Sequence, residues 1–265
     1  MTDMPVQHVQ VQDLNLAFID AGEGQPLIFI HGNYSSRRWF LNQLHDPPEG
    51  WRYIALDMPN FGESDPLPGD ISIQAYAEAV VAFADTLELE RFAVLGHSLG
   101  GSVAQHIAVN NPERVTHMIL LASAGPAGHY TSDDHLGLLE KFKGNRDLLG
   151  RALAGTVPTN RPDWFEWLID DAVAMQQHAY TGNAIALMHS DLSDLTHNYP
   201  GAVLVIRGEL DLPHLITDEI ARLTADSYPN GRLLNYQGVG HAPQLEDPVR
   251  FNTTLERFLK GADMD

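Results

Sequence analysis

The chain has 265 residues, of which 44% are hydrophobic, enough for one globular core. Its 35 acidic and 16 basic side chains leave a formal net charge of -19, which repels nucleic acid and anionic membranes and argues against both as partners. The absence of cysteine excludes disulfides, zinc–thiolate sites and a cysteine nucleophile.

The N-terminal segment does not resemble a secretory signal. Residues 1–5 are acidic and residues 6–11 alternate polar and apolar side chains, whereas a signal needs a basic start and an apolar run of roughly 7 to 15 residues. The longest apolar runs, at 26–30 and 118–122, are far shorter than the ~18 to 20 residues that cross a bilayer. We therefore expect a cytoplasmic protein.

Strand patterns dominate the first part of the chain. Residues 6–12 and 14–20 are predicted to pair as a hairpin. Residues 27–30 and 52–57 are mostly continuous apolar runs, a pattern typical of strands buried on both faces of a parallel sheet. A short helix is predicted between them, at 36–44.

Helices and strands alternate through much of the remaining chain. The predicted helices are 73–87, 99–109, 217–224 and 251–259. The predicted strands are 92–95, 115–122, 202–206 and 232–236. Such alternation is typical of a parallel sheet with helices on both faces. We predict an α/β fold with an eight-stranded, mostly parallel sheet.

One segment interrupts the alternation. Residues 127–198, called the lid segment from here on, contain no convincing strand pattern. Their apolar spacing predicts helices at 136–142, 147–154, 164–174 and 184–195. We expect the segment to form a helical lid over the strand ends, inserted before the last two strands. The chain then divides into a core, residues 1–126 and 199–265, and the lid.

The sequence Gly-His-Ser-Leu-Gly at residues 96–100 lies between a predicted strand and a predicted helix, the context of a nucleophile elbow. So sharp a turn forces the serine toward strained backbone angles, and side chains two residues to either side would collide, which explains the glycines. The turn exposes the Ser98 hydroxyl, and the Leu99 backbone N–H can help to hold an oxyanion. The alternative is a glycine-rich turn without a catalytic role.

A serine nucleophile needs a base within hydrogen-bond reach. Among 13 histidines, His241 stands out because its loop, Gly-Val-Gly-His-Ala-Pro at 238–243, follows the last predicted strand. Catalytic groups of parallel sheets gather at such strand ends. The alternative is a loop histidine without a role. We interpret His97, beside Ser98, as a packing residue whose ring points away.

The base in turn needs an acid that orients the imidazole and stabilises its charged form. Residues 207–211, Arg-Gly-Glu-Leu-Asp, follow the predicted strand at 202–206. Asp211 is the predicted acid and Glu209 is its competitor. The other candidate position, after the strand that ends near Ala122, reads Ser-Ala-Gly-Pro and offers no acid.

His-Gly-Asn at residues 31–33 directly follows the predicted strand at 27–30. A second oxyanion donor is expected from a loop in this position, and the Asn33 backbone N–H is suitably placed. His31 is a candidate substrate contact. The alternative is an ordinary turn at the end of a strand.

Together these motifs resemble the α/β-hydrolase superfamily, and the resemblance covers the whole chain apart from the lid segment. The triad order of Ser, Asp and His is the order of that family. Residues 57–64, Asp-Met-Pro-Asn-Phe-Gly-Glu-Ser, are similar to the common D-x-P-G-x-G-x-S stretch, with Asn60 in place of the first glycine. A serine at the elbow argues against haloalkane dehalogenases and epoxide hydrolases, which carry aspartate there.

The resemblance implies the α/β-hydrolase fold and a serine hydrolase that cleaves a small-molecule carboxylic ester through an acyl-enzyme, without a metal or organic cofactor. It also implies that the lid forms one wall of the pocket. Trp164 and Trp167 are candidate substrate contacts, and packing of the lid on the core is the alternative for both.

Other activities would need only a different pocket. They are a lactonase of the acyl-homoserine lactone type, a carbon–carbon bond hydrolase of ring-cleavage products and a cofactor-free perhydrolase. A ligand-binding receptor on a hydrolase scaffold is the alternative from another class. The acidic surface is either a salt adaptation or a general solubility feature, and the residues carry no indication of oligomeric state.

Overall fold

An eight-stranded sheet forms the centre of the protein, seen in a computed structural model that describes residues 4–262. In chain order its strands are β1 (Gln7–Val11), β2 (Leu14–Gly22), β3 (Gln25–Ile30), β4 (Trp51–Leu56), β5 (Phe92–His97), β6 (Val115–Leu121), β7 (Ala202–Gly208) and β8 (Gly231–Tyr236). They are arranged as β1-β2-β4-β3-β5-β6-β7-β8. Strand β2 runs antiparallel to β1 and β4, and every other pair is parallel. The predicted eight-stranded, mostly parallel sheet is confirmed.

The burial of the strands follows their sequence patterns. Every residue of β5 is buried, as a continuous apolar run in the middle of a parallel sheet must be. Strand β1 lies at the edge, where only Val11 is fully buried and the other side chains are exposed or half-buried. The central strands are thus covered by helices on both faces.

Ten α-helices surround the sheet within residues 4–262. They are α1 (Leu41–Leu44), α2 (Ile73–Thr86), α3 (Leu99–Asn110), α4 (Asp133–Phe142), α5 (Arg146–Thr156), α6 (Phe165–Ala174), α7 (Ala179–Met188), α8 (Asp218–Ser227), α9 (Pro243–Glu246) and α10 (Pro248–Leu259). Short 3-10 helices occupy Arg37–Phe40 and Thr196–Asn198. Helices α2 and α8 begin where the Ser72 and Thr217 side chains accept hydrogen bonds from backbone N–H groups of the first turn. None of these helices is long and apolar enough to cross a membrane.

The lid segment contains four α-helices, α4 to α7, the short 3-10 helix at Thr196–Asn198, and no strand. The prediction of a helix at 184–195 is wrong at both ends, since α7 covers Ala179–Met188. The Asp191 carboxylate accepts a hydrogen bond from the Ser193 backbone N–H at 2.9 Å. A local bond of this kind offers the chain an alternative to helical hydrogen bonding.

The sheet order determines where a site can form. Strand β3 lies between β4 and β5. The chain therefore passes from β3 to β4 on one side and then crosses to β5 on the other side. Loops after two such strands diverge and leave a crevice at the carboxyl end of the sheet. The loop after β3 and the turn after β5 both border this crevice. An added Cβ on Gly32 would lie 3.0 Å from the Cβ of Ser98, so the two segments are in close contact.

Candidate active site

Ser98 lies in a strained turn between β5 and α3. Its backbone angles are φ 52° and ψ -116°, which non-glycine residues rarely adopt. A side chain at Gly96 would overlap the Gly100 carbonyl oxygen, and one at Gly100 would overlap the Ile30 carbonyl oxygen. Both glycines are therefore required by the close approach of the strand, the helix and the loop after β3.

His241 and Asp211 form a buried pair beside this turn. The His241 Nδ1 lies 2.8 Å and 3.0 Å from the two carboxylate oxygens of Asp211. Both residues are about 5% exposed, so water does not compete for this contact. Glu209 instead points its carboxylate to the Gly238 backbone N–H at 3.1 Å. Of the two acids in the loop after β7, Asp211 is the one that contacts the imidazole.

The backbone of His241 is held on both sides. Its N–H donates to the Thr156 carbonyl oxygen in α5 at 2.9 Å. Its carbonyl oxygen accepts a hydrogen bond from the Nε2 of His97 at 2.9 Å. Burial keeps the pKa of His97 well below 6.5, and the nearby His241 lowers it further, so the ring is neutral at pH 7.

The His97 ring therefore does more than was predicted for it. It stacks on Trp39 at 5.4 Å between ring centroids, which agrees with a packing role. Its centroid is also 5.0 Å from that of His241, so the prediction that the ring points away is wrong. The strained turn at Ser98 directs the Ser98 and His97 side chains toward the same region.

Asn33 and Leu99, the predicted oxyanion donors, border one cavity together with Ser98 and His241. Leu99 is the first residue of α3, and N–H groups in the first turn of a helix have no helical acceptor. The Asn33 side-chain oxygen accepts from the Asn183 amide at 2.8 Å and from the Tyr34 N–H at 3.2 Å. The loop after β3 is thus joined to α7 of the lid segment.

This cavity has a volume of about 520 Å³. Its apolar lining includes Leu139, Leu153, Ala184, Leu187, Leu215 and Ile216. Its polar lining includes His129, Thr131, Ser132, His135, Thr156 and His214. Within residues 4–262 the lining contains no Lys, Arg, Asp or Glu side chain. Over the same part of the chain, no group of three or more His, Asp or Glu is arranged to hold a metal ion.

The structure places His31, the candidate substrate contact in the loop after β3, in the interior of the protein. The residue is fully buried and does not border the cavity. Its Nδ1 donates to the Gly32 carbonyl oxygen at 2.8 Å, and its Nε2 accepts from the Met58 N–H at 3.0 Å. Burial lowers the pKa of His31 to about 4. Both ring nitrogens are occupied by backbone groups, so His31 supports the loop after β3.

The structure also places Trp164 and Trp167, the candidate substrate contacts of the lid segment, outside the cavity lining. Trp164 is buried in the apolar core, and Trp167 is 37% exposed with the Arg38 guanidinium 6.0 Å from its ring centroid. Trp167 lies in α6 and Trp164 directly precedes that helix, which packs on α5. The alternative, packing, fits both residues.

Sequence reasoning missed the residues of the lid segment that border the cavity. They come from the loop before α4 and from α4, α5 and α7, for example Ser132, Leu139, Leu153 and Leu187. Apolar spacing predicted that Leu139, Leu153 and Leu187 lie in helices, but it could not indicate which helix face would meet the carboxyl end of the sheet.

Known proteins resemble this chain over nearly its whole length. The 2-hydroxymuconate semialdehyde hydrolase of Pseudomonas sp. (strain CF600) is 29% identical, over 92% of this chain and 90% of that protein. Est816, a solved N-acyl homoserine lactone degrading enzyme, is 26% identical with a TM-score of 0.82, over 95% of this chain and all of that one. An esterase from Exiguobacterium antarcticum shares the fold with a TM-score of 0.85 at 24% identity, over 96% of this chain and 98% of that one.

The family model described as the alpha/beta hydrolase fold matches residues 25–174. That range is more than half of the chain, and it includes the loop after β3, the strained turn at Ser98 and most of the helices before β7. The fold and the relatives agree with this family model. The chain is therefore a hydrolase and belongs to the α/β-hydrolase family.

Proposed function

We propose that the protein is a serine hydrolase that cleaves small-molecule carboxylic esters through an acyl-enzyme. Ser98 is the nucleophile, His241 the general base and acid, and Asp211 the group that orients the imidazole. The observation that carries the proposal is the meeting of Ser98, in its strained turn, and the Asp211-bound His241 at one cavity.

The positions of these groups support the following reaction. His241 takes the proton of the Ser98 hydroxyl as Oγ attacks the ester carbonyl carbon, and the backbone N–H groups of Asn33 and Leu99 donate to the oxyanion. The carbon–oxygen bond to the alcohol then breaks, and the alcohol leaves with the proton from His241. Water, deprotonated by His241, attacks the acyl group and releases the acid and free Ser98.

The lining of the cavity supports an uncharged substrate. An apolar acyl group can bury its surface against leucine side chains such as Leu139 and Leu153. A carboxylate in the same place would find no Lys or Arg in the lining within residues 4–262, and the net charge of -19 would repel it. In this proposal the lid segment, residues 127–198, is the wall that selects the acyl group.

The first test is hydrolysis of p-nitrophenyl esters from acetate to decanoate by the wild type and by Ser98→Ala. We expect turnover by the wild type and a loss of about 10⁴ to 10⁶ in kcat for the variant. The preferred chain length measures the depth of the acyl site. Equal turnover by both proteins would contradict the assignment of Ser98.

A lactonase is the second candidate, and the similarity to Est816 favours it. Ring opening of a lactone uses the same attack by Ser98, but the alcohol stays attached to the acyl group. Acid release from N-acyl homoserine lactones, followed at constant pH by titration with base, would separate the two. Fast release combined with slow turnover of every p-nitrophenyl ester would favour the lactonase.

A further inference from the structure

The loop that carries His241 is bound to a second buried carboxylate besides that of Asp211. Glu246, the last residue of α9, is 1% exposed. Its Oε1 accepts hydrogen bonds from the backbone N–H groups of Gly240 at 2.9 Å and Ala242 at 3.3 Å. These two residues are the immediate neighbours of His241, so one carboxylate oxygen fixes the backbone on both sides of the base.

The other oxygen of the same carboxylate reaches the lid segment. Glu246 Oε2 accepts from the Thr159 backbone N–H at 3.0 Å and from the Thr159 hydroxyl at 2.6 Å. The Asn160 amide also donates to the Glu246 carbonyl oxygen at 3.1 Å. Burial raises the pKa of the Glu246 carboxyl, and the donors from Thr159, Gly240 and Ala242 act against that rise. Protein donors therefore replace the water that this carboxylate has lost.

We propose that Glu246 is a positioning residue for the base. Its carboxylate joins the His241 loop to Thr159 of the lid segment and thereby holds the imidazole in line with Ser98. The inference rests on the proposed function for its effect on catalysis. Glu246 does not border the cavity, so it acts through the loop and not through substrate contact.

The decisive variant is Glu246→Gln, which keeps the size of the side chain. The glutamine amide has two orientations. In one its NH2 faces the backbone N–H groups of Gly240 and Ala242, and in the other it faces the backbone N–H of Thr159. In either case a donor faces a donor, and a hydrogen bond is lost. Since small displacements of a catalytic group can lower the rate about 100-fold, we expect kcat to fall about 10- to 100-fold. KM should change less than about 3-fold, because substrate binding is untouched.

Glu209→Gln is the matched control. Glu209 also binds a backbone N–H of the same loop, that of Gly238, but its side chain is exposed. The same substitution there should change kcat less than about 2-fold, since water can replace the lost acceptor. Thermal unfolding of both variants, recorded beside the assay, ensures that the proteins are folded at the assay temperature. Equal losses in Glu209→Gln and Glu246→Gln would overturn the proposal.

Two variants test the partner in the lid segment. Thr159→Val removes the hydroxyl donor and keeps the branched shape, and it should lower kcat about 3- to 10-fold by loosening the loop. Thr159→Ser keeps the hydroxyl and should restore most of the wild-type kcat. A serine variant as slow as the valine variant would overturn the role of the hydroxyl.

Amide hydrogen exchange over residues 238–243 provides a readout that does not need a substrate. Glu246→Gln should speed exchange at Gly240 and Ala242, and Glu209→Gln should leave those two amides unchanged. Unchanged exchange in Glu246→Gln would overturn the proposal. If Glu246→Gln speeds exchange as expected but the wild type hydrolyses no ester or lactone, the proposed function is refuted, whereas the link between the His241 loop and the lid segment stands.

Discussion

At the residue scale, the acid that we propose for the triad is distinguished from Glu209 by a contact and not by its spacing. Asp211 and Glu209 are two residues apart, yet only Asp211 reaches the Nδ1 of His241. The Asp211 side chain is completely buried, whereas Glu209 is exposed. In the proposed mechanism, a buried carboxylate that is already in place would stabilise the imidazolium that forms when Ser98 gives up its proton.

Asp211→Asn should therefore lower kcat by about 10⁴, because an amide that donates to the imidazole favours the wrong tautomer. Ester hydrolysis under saturating substrate measures this loss. Glu209→Gln should keep nearly the wild-type kcat in the same assay. A larger loss in Glu209→Gln than in Asp211→Asn would transfer the role of the acid to Glu209.

His31, which supports the loop after β3, makes the unfolding free energy of the protein depend on pH. Burial lowers its pKa from 6.5 to about 4, and the charge of Arg37 acts in the same direction. Between these two pH values the unfolded chain binds a proton that the folded protein excludes. This contribution to the unfolding free energy is therefore fully present above pH 6.5 and declines as the pH falls toward 4.

We expect the His31 imidazole to stay neutral down to about pH 4 in an NMR titration. Urea unfolding should become easier between pH 6.5 and pH 4, with up to about 3 kcal/mol of the loss due to this residue. A titration midpoint near 6.5 for His31 would contradict the buried position with both nitrogens bonded.

Asn60 is the position where the chain departs from the common family stretch. Its φ of 76° is the left-handed conformation that glycine adopts readily and asparagine tolerates better than most residues. Its amide donates to the Tyr76 hydroxyl at 2.8 Å, and its side-chain oxygen accepts from the Leu67 N–H at 3.0 Å. The replacement keeps the turn and adds two hydrogen bonds that glycine could not make.

At the scale of elements, α7 joins the lid segment to the loop after β3. Asn183 is completely buried on α7. Its amide donates to the Asn33 side-chain oxygen, and its own oxygen accepts from the Tyr76 hydroxyl of α2, both at 2.8 Å. Through Tyr76 this chain of hydrogen bonds extends to Asn60. The helix therefore supports the residue whose backbone N–H we propose as an oxyanion donor.

Asn183→Leu keeps a similar volume but removes one hydrogen-bond partner from Asn33 and one from Tyr76. We expect kcat to fall about 10-fold as the loop after β3 loosens, with a smaller change in KM. Thr181→Ala, on the exposed side of the same helix, removes only a hydrogen bond to Glu140 and is the control. A rise in KM with an unchanged kcat would mean that α7 shapes the pocket but does not support the loop after β3.

At the scale of the whole molecule, the net charge of -19 sets up repulsion among surface carboxylates. Salt screens such repulsion, with a Debye length that falls from about 10 Å at 0.1 M to about 3 Å at 1 M. The unfolding free energy should therefore rise between 0.05 and about 1 M NaCl at pH 7.5. Near the pI of about 4.9 the rise should be smaller. A flat response at pH 7.5 would leave solubility as the only role of the acidic surface.

The sequence by itself determined most of the sheet and the strained turn at Ser98. Continuous apolar runs such as 27–30 and 92–95 became buried strands, because parallel strands in the centre of a sheet need apolar side chains on both faces. The strained turn at Ser98 was predictable because one of its collisions, between a side chain at Gly96 and the Gly100 carbonyl oxygen, arises within four residues of chain. Information that lies within a few residues of chain can be interpreted without a structure.

Only the tertiary structure decided which residues border the cavity and which support the loops after β3 and β8. Asn33 and Asn183 are 150 positions apart, and Thr159 and Glu246 are 87 apart, yet each pair is hydrogen-bonded. Helical spacing in the lid segment fits a cavity wall and a packing face equally well, so it could not separate Trp167 from Leu139. Which face meets the site depends on how four helices pack on the sheet, and that packing is a property of the whole chain.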